Sequence, residues 1–153
     1  MIQPGLEFVY EAHGDLEPPR QIGETYDGSR RIIPIIGGGR VEGPKISGRL
    51  VGNSADWQQT RSDGVTVADA LYAIETDDGV LIQIRNRGLR HGPPEVMQRL
   101  VAGEDVDPSE YYFRTVPEFI APVGDYEWLN RSIFVCSGAR YANSIRLWVW
   151  RVT

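Results

Sequence analysis

The sequence has little of what signature-bearing proteins carry. Among its 153 residues there is one cysteine, Cys136, which excludes an intramolecular disulfide framework. It stands in the apolar run SIFVCSG and reads as a small buried thiol rather than a nucleophile. The only two histidines, His13 and His91, fall in the flanked segments EAHGD and RHGPP, and neither belongs to a His-x-His or His-x-x-x-His pair. Metal-ligand spacing is therefore missing and no metal is expected. Ser54 lacks the Gly-x-Ser-x-Gly surroundings of a nucleophile elbow.

Positive charge is also scarce. With 16 Lys and Arg against 21 Asp and Glu, the formal charge is −5, and no basic stripe offers itself to nucleic acid or to an anionic membrane. No apolar run approaches the roughly 18 to 20 residues needed to cross a bilayer, and the N-terminus MIQPGLEFVYEAHG lacks a basic segment followed by an apolar one. The expectation is a soluble, cytoplasmic protein, with residues 1–153 forming a single β-barrel domain.

What the chain does contain is a succession of short β-rich runs punctuated by Gly, Pro, Asn and Asp. Leu6, Phe8, Tyr10 and Ala12 alternate with Glu7, Val9 and Glu11, the period of a strand buried on one face. RRIIPIIGGG and RVEGPKISGRLV are extended as well, with breaks expected at Pro34 and Pro44. VADALYAIETDDGVLIQIRNRG reads as a hairpin turning at Thr76-Asp77-Asp78-Gly79. PPEVMQRLVAGE is the one good helix, opened by proline and stopped by Gly103, and is short enough to be a cover or plug. EYYFRTVPEF, NRSIFVCSG and SIRLWVWRV complete some eight to ten strands, which fit an all-β antiparallel barrel with one short helix better than a βαβ fold.

The glycine-rich stretch IPIIGGGRVEGPKISG invites a phosphate loop. Gly38 and Gly43 have the required spacing, but Pro44 displaces Lys45 by one position and removes an N–H, and Ile46 follows where a hydroxyl is needed. A dinucleotide fingerprint fails at Glu42, and no helix follows to receive a pyrophosphate. The glycines are better read as a turn at Gly37–Gly39 and as bends or close backbone approaches at Gly43 and Gly48, and no cofactor is expected.

Taken together, IIGGGRVEGPKISGRLVGNSADW, Arg61, DGV, DALYAIETDDG, NRG, YYFRTVPEF and YEWLN give the chain a resemblance to domain-of-unknown-function family 3237, also called uncharacterised protein family 0311. The resemblance covers nearly the whole chain. It implies a small cytoplasmic β-barrel of the lipocalin-like or allene-oxide-cyclase-like type, often oligomeric, with no assigned common activity. One departure is Asn53-Ser54, where a glycine commonly precedes the Ala-Asp-Trp step.

Three groups could line one end of such a barrel: Asp56 with Trp57 and Arg61; Tyr72 with Arg85 or Arg87; and Tyr112, Arg114, Trp128 and Asn130. A carboxylate held among aromatics can have a raised pKa and shuttle protons, while Arg and Asn can stabilise an enolate or carboxylate. The catalytic candidates are Asp56, Tyr72 and Arg114; the ligand-binding candidates are Trp57, Arg61, Arg87, Tyr112, Trp128 and Asn130. Tyr112 and Arg114, two residues apart, share a strand face and could grip one ligand.

The expected function is that of a cofactor-independent enzyme. It would take a small hydrophobic or aromatic carbonyl compound and act by proton transfer, as an isomerase, cyclase or lyase. The alternative is a lipocalin-like carrier or sensor that binds without reacting. A homo-oligomer is the expected assembly, with Trp148 and Trp150 facing a neighbouring subunit.

Overall fold

The computed structural model describes residues 1–153. Its elements are β1 (Leu6–Leu16), β2 (Arg20–Thr25), β3 (Gly28–Ile36), β4 (Arg40–Glu42), β5 (Gly48–Leu50), β6 (Ser54–Thr60), β7 (Thr66–Thr76), β8 (Leu81–His91), α1 (Pro94–Val101), β9 (Tyr112–Ile120), β10 (Ile133–Arg140) and β11 (Ser144–Val152). Short 3₁₀ turns occupy Pro108–Glu110 and Glu127–Arg131.

All eleven strands join one antiparallel sheet, and it closes on itself where β7 pairs with β8. Closure removes the unpaired edges that an open sheet of this length would expose. The wall between β1 and β7 is made twice. At one end β3 pairs with β1 at Asp15 and Leu16 and carries β6, which pairs with β7 from Ala55 to Thr60. At the other end the short strands β4 and β5 bridge β1, at Glu11 and Ala12, to β7, at Ile74 to Thr76.

The glycine-rich stretch is that bridge. Its turn is at Gly38, where φ is +98°, and beyond it Gly43 and Gly48 press against the backbones of β1 and β7. A Cβ on Gly43 would collide with the Val9 carbonyl oxygen and lie 2.8 Å from Tyr10 Cα. The Gly43→Ala variant should therefore lose about 2 kcal/mol or more of stability, read from its denaturant midpoint; an unchanged midpoint would mean that the bridge can move away from β1.

The hairpin and helix fall where the sequence places them: Gly79 takes a φ of +87° between β7 and β8, and α1 starts on proline and ends before Gly103, whose φ is +79°. Three details differ. No break occurs at Pro34, which stays inside β3 opposite Ala55, because its missing donor falls where β3 leaves β2 and has not yet met β1. The strands number eleven, since Pro44 splits one run into β4 and β5, and RQIGET and SADWQQT form the further strands β2 and β6. In β1 the alternation slips: a bulge lies between Phe8 and Tyr10, so Val9 and Tyr10 are both buried while Leu6 and Phe8 are exposed. The extra residue re-aims Tyr10, Ala12 and Leu16 into the barrel.

Side chains fill the barrel unevenly. The half nearest the Asp77-Asp78-Gly79 turn is a solid core in which Tyr10, Ile74, Ile82, Ile84, Phe119 and Phe134 pack together. Phe119 and Phe134 meet edge to face at 4.7 Å. Cys136 is buried in the same cluster, where burial pushes its thiol up to about 11. At pH 8 only about one thiol in a thousand would be ionised, so iodoacetamide should leave the native protein unmodified and label it after unfolding; native labelling would show that the barrel opens. The opposite half is hollow, and α1 lies across it through Val96, Met97 and Leu100.

Candidate functional site

The hollow half consists of two chambers in line. The inner one has a volume of about 50 Å³ and is walled by Ile33, Ile35, Ala70, Phe113, Ile145 and Leu147. The outer one, about 320 Å³, lies beneath Met97 and Leu100 of α1 and is bordered by Ser29, Thr60 and Thr66. Arg90 and Arg140 line both and form the waist between them.

Strand register explains which polar groups meet there. Asp56 on β6 lies opposite Ala70 on β7, which lies opposite Asn86 on β8. One step nearer the mouth, Arg31 on β3 is opposite Gln58, and Thr115 on β9 is opposite Cys136 on β10. One further step brings in Arg90 beside Phe113. All are in the inward phase of their strands.

Between β6 and β7 the pairing skips Trp57 and Gln58. The Asp69 backbone N–H donates instead to Asp56 Oδ1 at 2.9 Å. Gln58 Nε2 donates to Asp56 Oδ2 at 2.7 Å, and Gln58 Oε1 accepts from Arg31 Nε at 2.9 Å. These bonds fix the carboxylate from two sides. Burial nonetheless raises its pKa above the ordinary carboxylate value, against the lowering effects of Gln58, the Asp69 amide, Arg90 and Arg31.

The guanidiniums are the anomaly. Arg90 is only 5% exposed, its Nε has no hydrogen-bond partner, and its guanidinium lies 5.4 Å over the Phe113 ring. Burial, and then Arg31 and Arg140, bring its pKa down to about 10. Arg31 and Arg140 are lowered too, in each case chiefly by burial. Arg140 Nη1 donates to the Ser144 carbonyl at 3.3 Å, and its backbone N–H donates to Tyr111 Oη at 2.9 Å. Asp56 is the carboxylate acting on all three. Three positive charges thus face one negative charge, with Arg90 and Arg140 buried and Arg31 half-buried.

The inner chamber holds a second set of unmatched groups. Tyr72 Oη, Asn86 Oδ1 and Thr115 Oγ1 are buried without a hydrogen-bond partner, as is Tyr10 Oη behind them. Leaving a polar atom so costs about 1–3 kcal/mol each.

Of the residues singled out in the sequence, Asp56 and Tyr72 line the inner chamber. The others lie elsewhere. Trp57 is 55% exposed, since it takes the outward phase of β6 next to Asp56. Arg61 is paired with Asp63 just past that strand, and Arg87 with Glu118 on the outer wall at 3.3 Å. Arg85 likewise pairs with Asp69 outside, at 2.9 Å. Tyr112 and Arg114 do share a face, but it is the outer one, where Arg114 lies 5.5 Å over the Tyr112 ring and His91 stacks with the same ring at 4.9 Å. Trp128 and Asn130 belong to the closed end: Lys45 lies 5.3 Å over Trp128, and the Asn130 amide closes on the Ala121 N–H and C=O at 2.8 Å each. Trp148 and Trp150 stand in the outward phase of β11, with Arg146 over Trp148 and Phe8 edge-on to Trp150.

Arg31, Arg90, Arg140, Asn86 and Thr115 went unnoticed in the sequence. The available signal was phase. Arg90 follows Ile82, Ile84 and Asn86 at two-residue steps, Arg140 follows Phe134 and Cys136, and Arg31 precedes Ile33 and Ile35. Each arginine sits where its strand's alternation calls for an apolar side chain.

Fold and cavity together define a small antiparallel β-barrel protein with an internal chamber closed by buried charge. The chain belongs to DUF3237, whose members are described as proteins of unknown function; the family match spans residues 4–152. A UPF0311 protein of Rhodopseudomonas palustris is 44% identical over 151 residues, covering 97% of this chain and 98% of that protein. A crystal structure of a conserved protein of unknown function from R. palustris superposes with a TM-score of 0.95 at 38% identity, covering both chains fully. A β-barrel-like protein from Acinetobacter baumannii superposes with a TM-score of 0.86, also at 38% identity, over 100% of this chain and 98% of its own. A hydroalkoxylation enzyme of Penicillium herquei, phnH, is 34% identical over 82 residues, 53% of each chain. No helix is long and apolar enough to cross a membrane.

Proposed function

We propose that the protein is a cofactor-independent enzyme that moves a proton on a small, largely hydrophobic carbonyl compound held in the inner chamber. The observation that carries this reading is Asp56: the one carboxylate in the inner chamber's wall, oriented by the Gln58 side chain and the Asp69 amide, with its pKa raised by burial. A raised carboxyl is a better base once ionised and a reachable proton donor when not. The substrate's carbonyl oxygen would take its hydrogen bonds from Tyr72, Thr115 and, with its amide turned over, Asn86, the groups that have no partner within the protein. At about 50 Å³ the inner chamber admits only three or four non-hydrogen atoms, so the reacting end enters and the rest stays outside.

The similarity to a hydroalkoxylation enzyme supports this class of chemistry. Adding an alcohol O–H across a C=C bond removes one proton from oxygen and delivers one to carbon, with no net oxidation; a single carboxyl group can do both. The test is solvent isotope incorporation. In D₂O, NMR of a panel of small ketones, enones and aryl ketones with the wild-type protein should show deuterium entering beside the carbonyl of at least one class faster than in buffer. Binding of these compounds without any exchange or addition would instead make the protein a carrier.

A further inference from the structure

We infer that Arg31, Arg90 and Arg140 form a binding site for the carboxylate of an organic acid whose short apolar part enters the inner chamber. The inference rests on the proton-transfer reading only in placing the reacting carbonyl at the inner end of the same ligand.

Arginine stays charged at any physiological pH, so a surplus of guanidinium cannot be relieved by losing protons as a buried lysine could. At this waist the surplus is two, with Asp56 the common counter-charge. Burying unmatched charge is unfavourable unless something pairs with it. Arg90 supplies the sharper observation: its guanidinium is nearly fully buried, its Nε donor is unpaired, and it borders both chambers. Arg140 uses Nη1 on a single long bond to a carbonyl, and Arg31 uses Nε on Gln58, which leaves other donors on each fork. Planar forks of this kind match a carboxylate in two-point hydrogen bonding.

The surroundings choose an organic anion over an inorganic one. Immediately inside the waist the walls are Phe113, Ile145, Leu147 and Ile33, against which a bare phosphate or sulfate would gain nothing. Immediately outside, the 320 Å³ chamber under Met97 and Leu100 has room for substituents on the same ligand. The protein's overall charge of −5 repels anions at long range, so the site has to work by close contact.

The experiment is a thermal-shift and calorimetric titration of the protein with sodium acetate through hexanoate at constant ionic strength, beside the matching primary amides, sodium phosphate and sodium sulfate. Expected are a saturable rise of several degrees in Tm that grows with chain length and levels off near three or four tail carbons, and little effect of the amides. Arg90→Met should remove at least tenfold of carboxylate affinity, whereas Arg114→Met, on the outer wall, should leave it unchanged. Amides acting as well as carboxylates, or phosphate and sulfate acting as well as the organic acids, would overturn the inference. If proton exchange occurs with neutral carbonyl compounds and carboxylates show no preference, this inference falls and the proton-transfer reading stands. If carboxylates bind and no exchange or addition is ever seen, the reverse holds.

Discussion

Replacing Asp56 with asparagine is expected to leave the barrel folded and to slow proton transfer on a responsive carbonyl compound by roughly 10²–10⁴-fold. The substitution keeps size and shape but removes the only basic oxygen in the inner chamber's wall. One hydrogen bond becomes a mismatch, because an amide cannot accept from both the Gln58 side chain and the Asp69 N–H through its two ends. Gln58 cannot simply turn over, since its NH₂ would then face the Arg31 guanidinium. The resulting loss of about 1 kcal/mol is small beside the kinetic effect, so a thermal melt and a rate measurement separate the two.

The pH profile supplies a readout that a purely structural role would not move. As a base, Asp56 works when ionised, so the rate rises as pH climbs through its raised pKa, with an acid limb above the ordinary carboxylate range; that limb should vanish in the asparagine variant. Stability runs the opposite way. A carboxyl whose folded pKa is raised holds its proton more tightly when folded, so its contribution is present below the unfolded value and is lost as pH rises through the folded one. An unchanged rate in the variant across the whole pH range would remove Asp56 from the chemistry.

The barrel was legible because most strands advertise themselves locally; RQIGET and SADWQQT, polar and without a clear apolar alternation, do not. Alternation in β7 and β8, the Asp-Gly turn between them and the proline-started α1 are short-range signals that tertiary packing had no reason to override. The failure of the glycine stretch as a phosphate loop was equally local, fixed by Pro44 and Ile46. What no local signal supplied was the phase of each strand around the barrel axis. YYFRT offers Tyr112 and Arg114 on one face and Phe113 and Thr115 on the other, and either set could point inward. The structure buries the second set. Polar residues look like sites, so the first set stands out in the sequence, whereas Arg31, Arg90, Arg140, Asn86 and Thr115, which reach the chambers beside Asp56 and Tyr72, look like ordinary members of apolar strands. The bulge in β1 has the same character, since a single extra residue changes which side chains face the core without altering the composition of the run.

Arg90→Met is expected to make the protein more stable, by about 1–3 kcal/mol at neutral pH, in the same variant that loses carboxylate affinity. A buried guanidinium ordinarily repays its desolvation through complete hydrogen bonding and a counter-charge. Arg90 has an unpaired Nε, shares Asp56 with two other arginines and is repelled by both of them. Methionine keeps an unbranched apolar contact with Phe113 and removes the repulsion. The pH dependence fixes the cause. Because the folded pKa of Arg90 is depressed to about 10, its charge is least welcome in the native state below that value, and the wild type recovers stability relative to the variant as pH rises through about 10. The stability gap between the two should therefore narrow in alkali, in denaturant titrations run side by side. A loss of several kcal/mol on substitution would mean instead that Arg90 is a fully paired structural charge, and the case for an anion at the waist would go with it. A gain in stability bought with a loss of binding is what distinguishes a charge kept for a ligand from one kept for the fold.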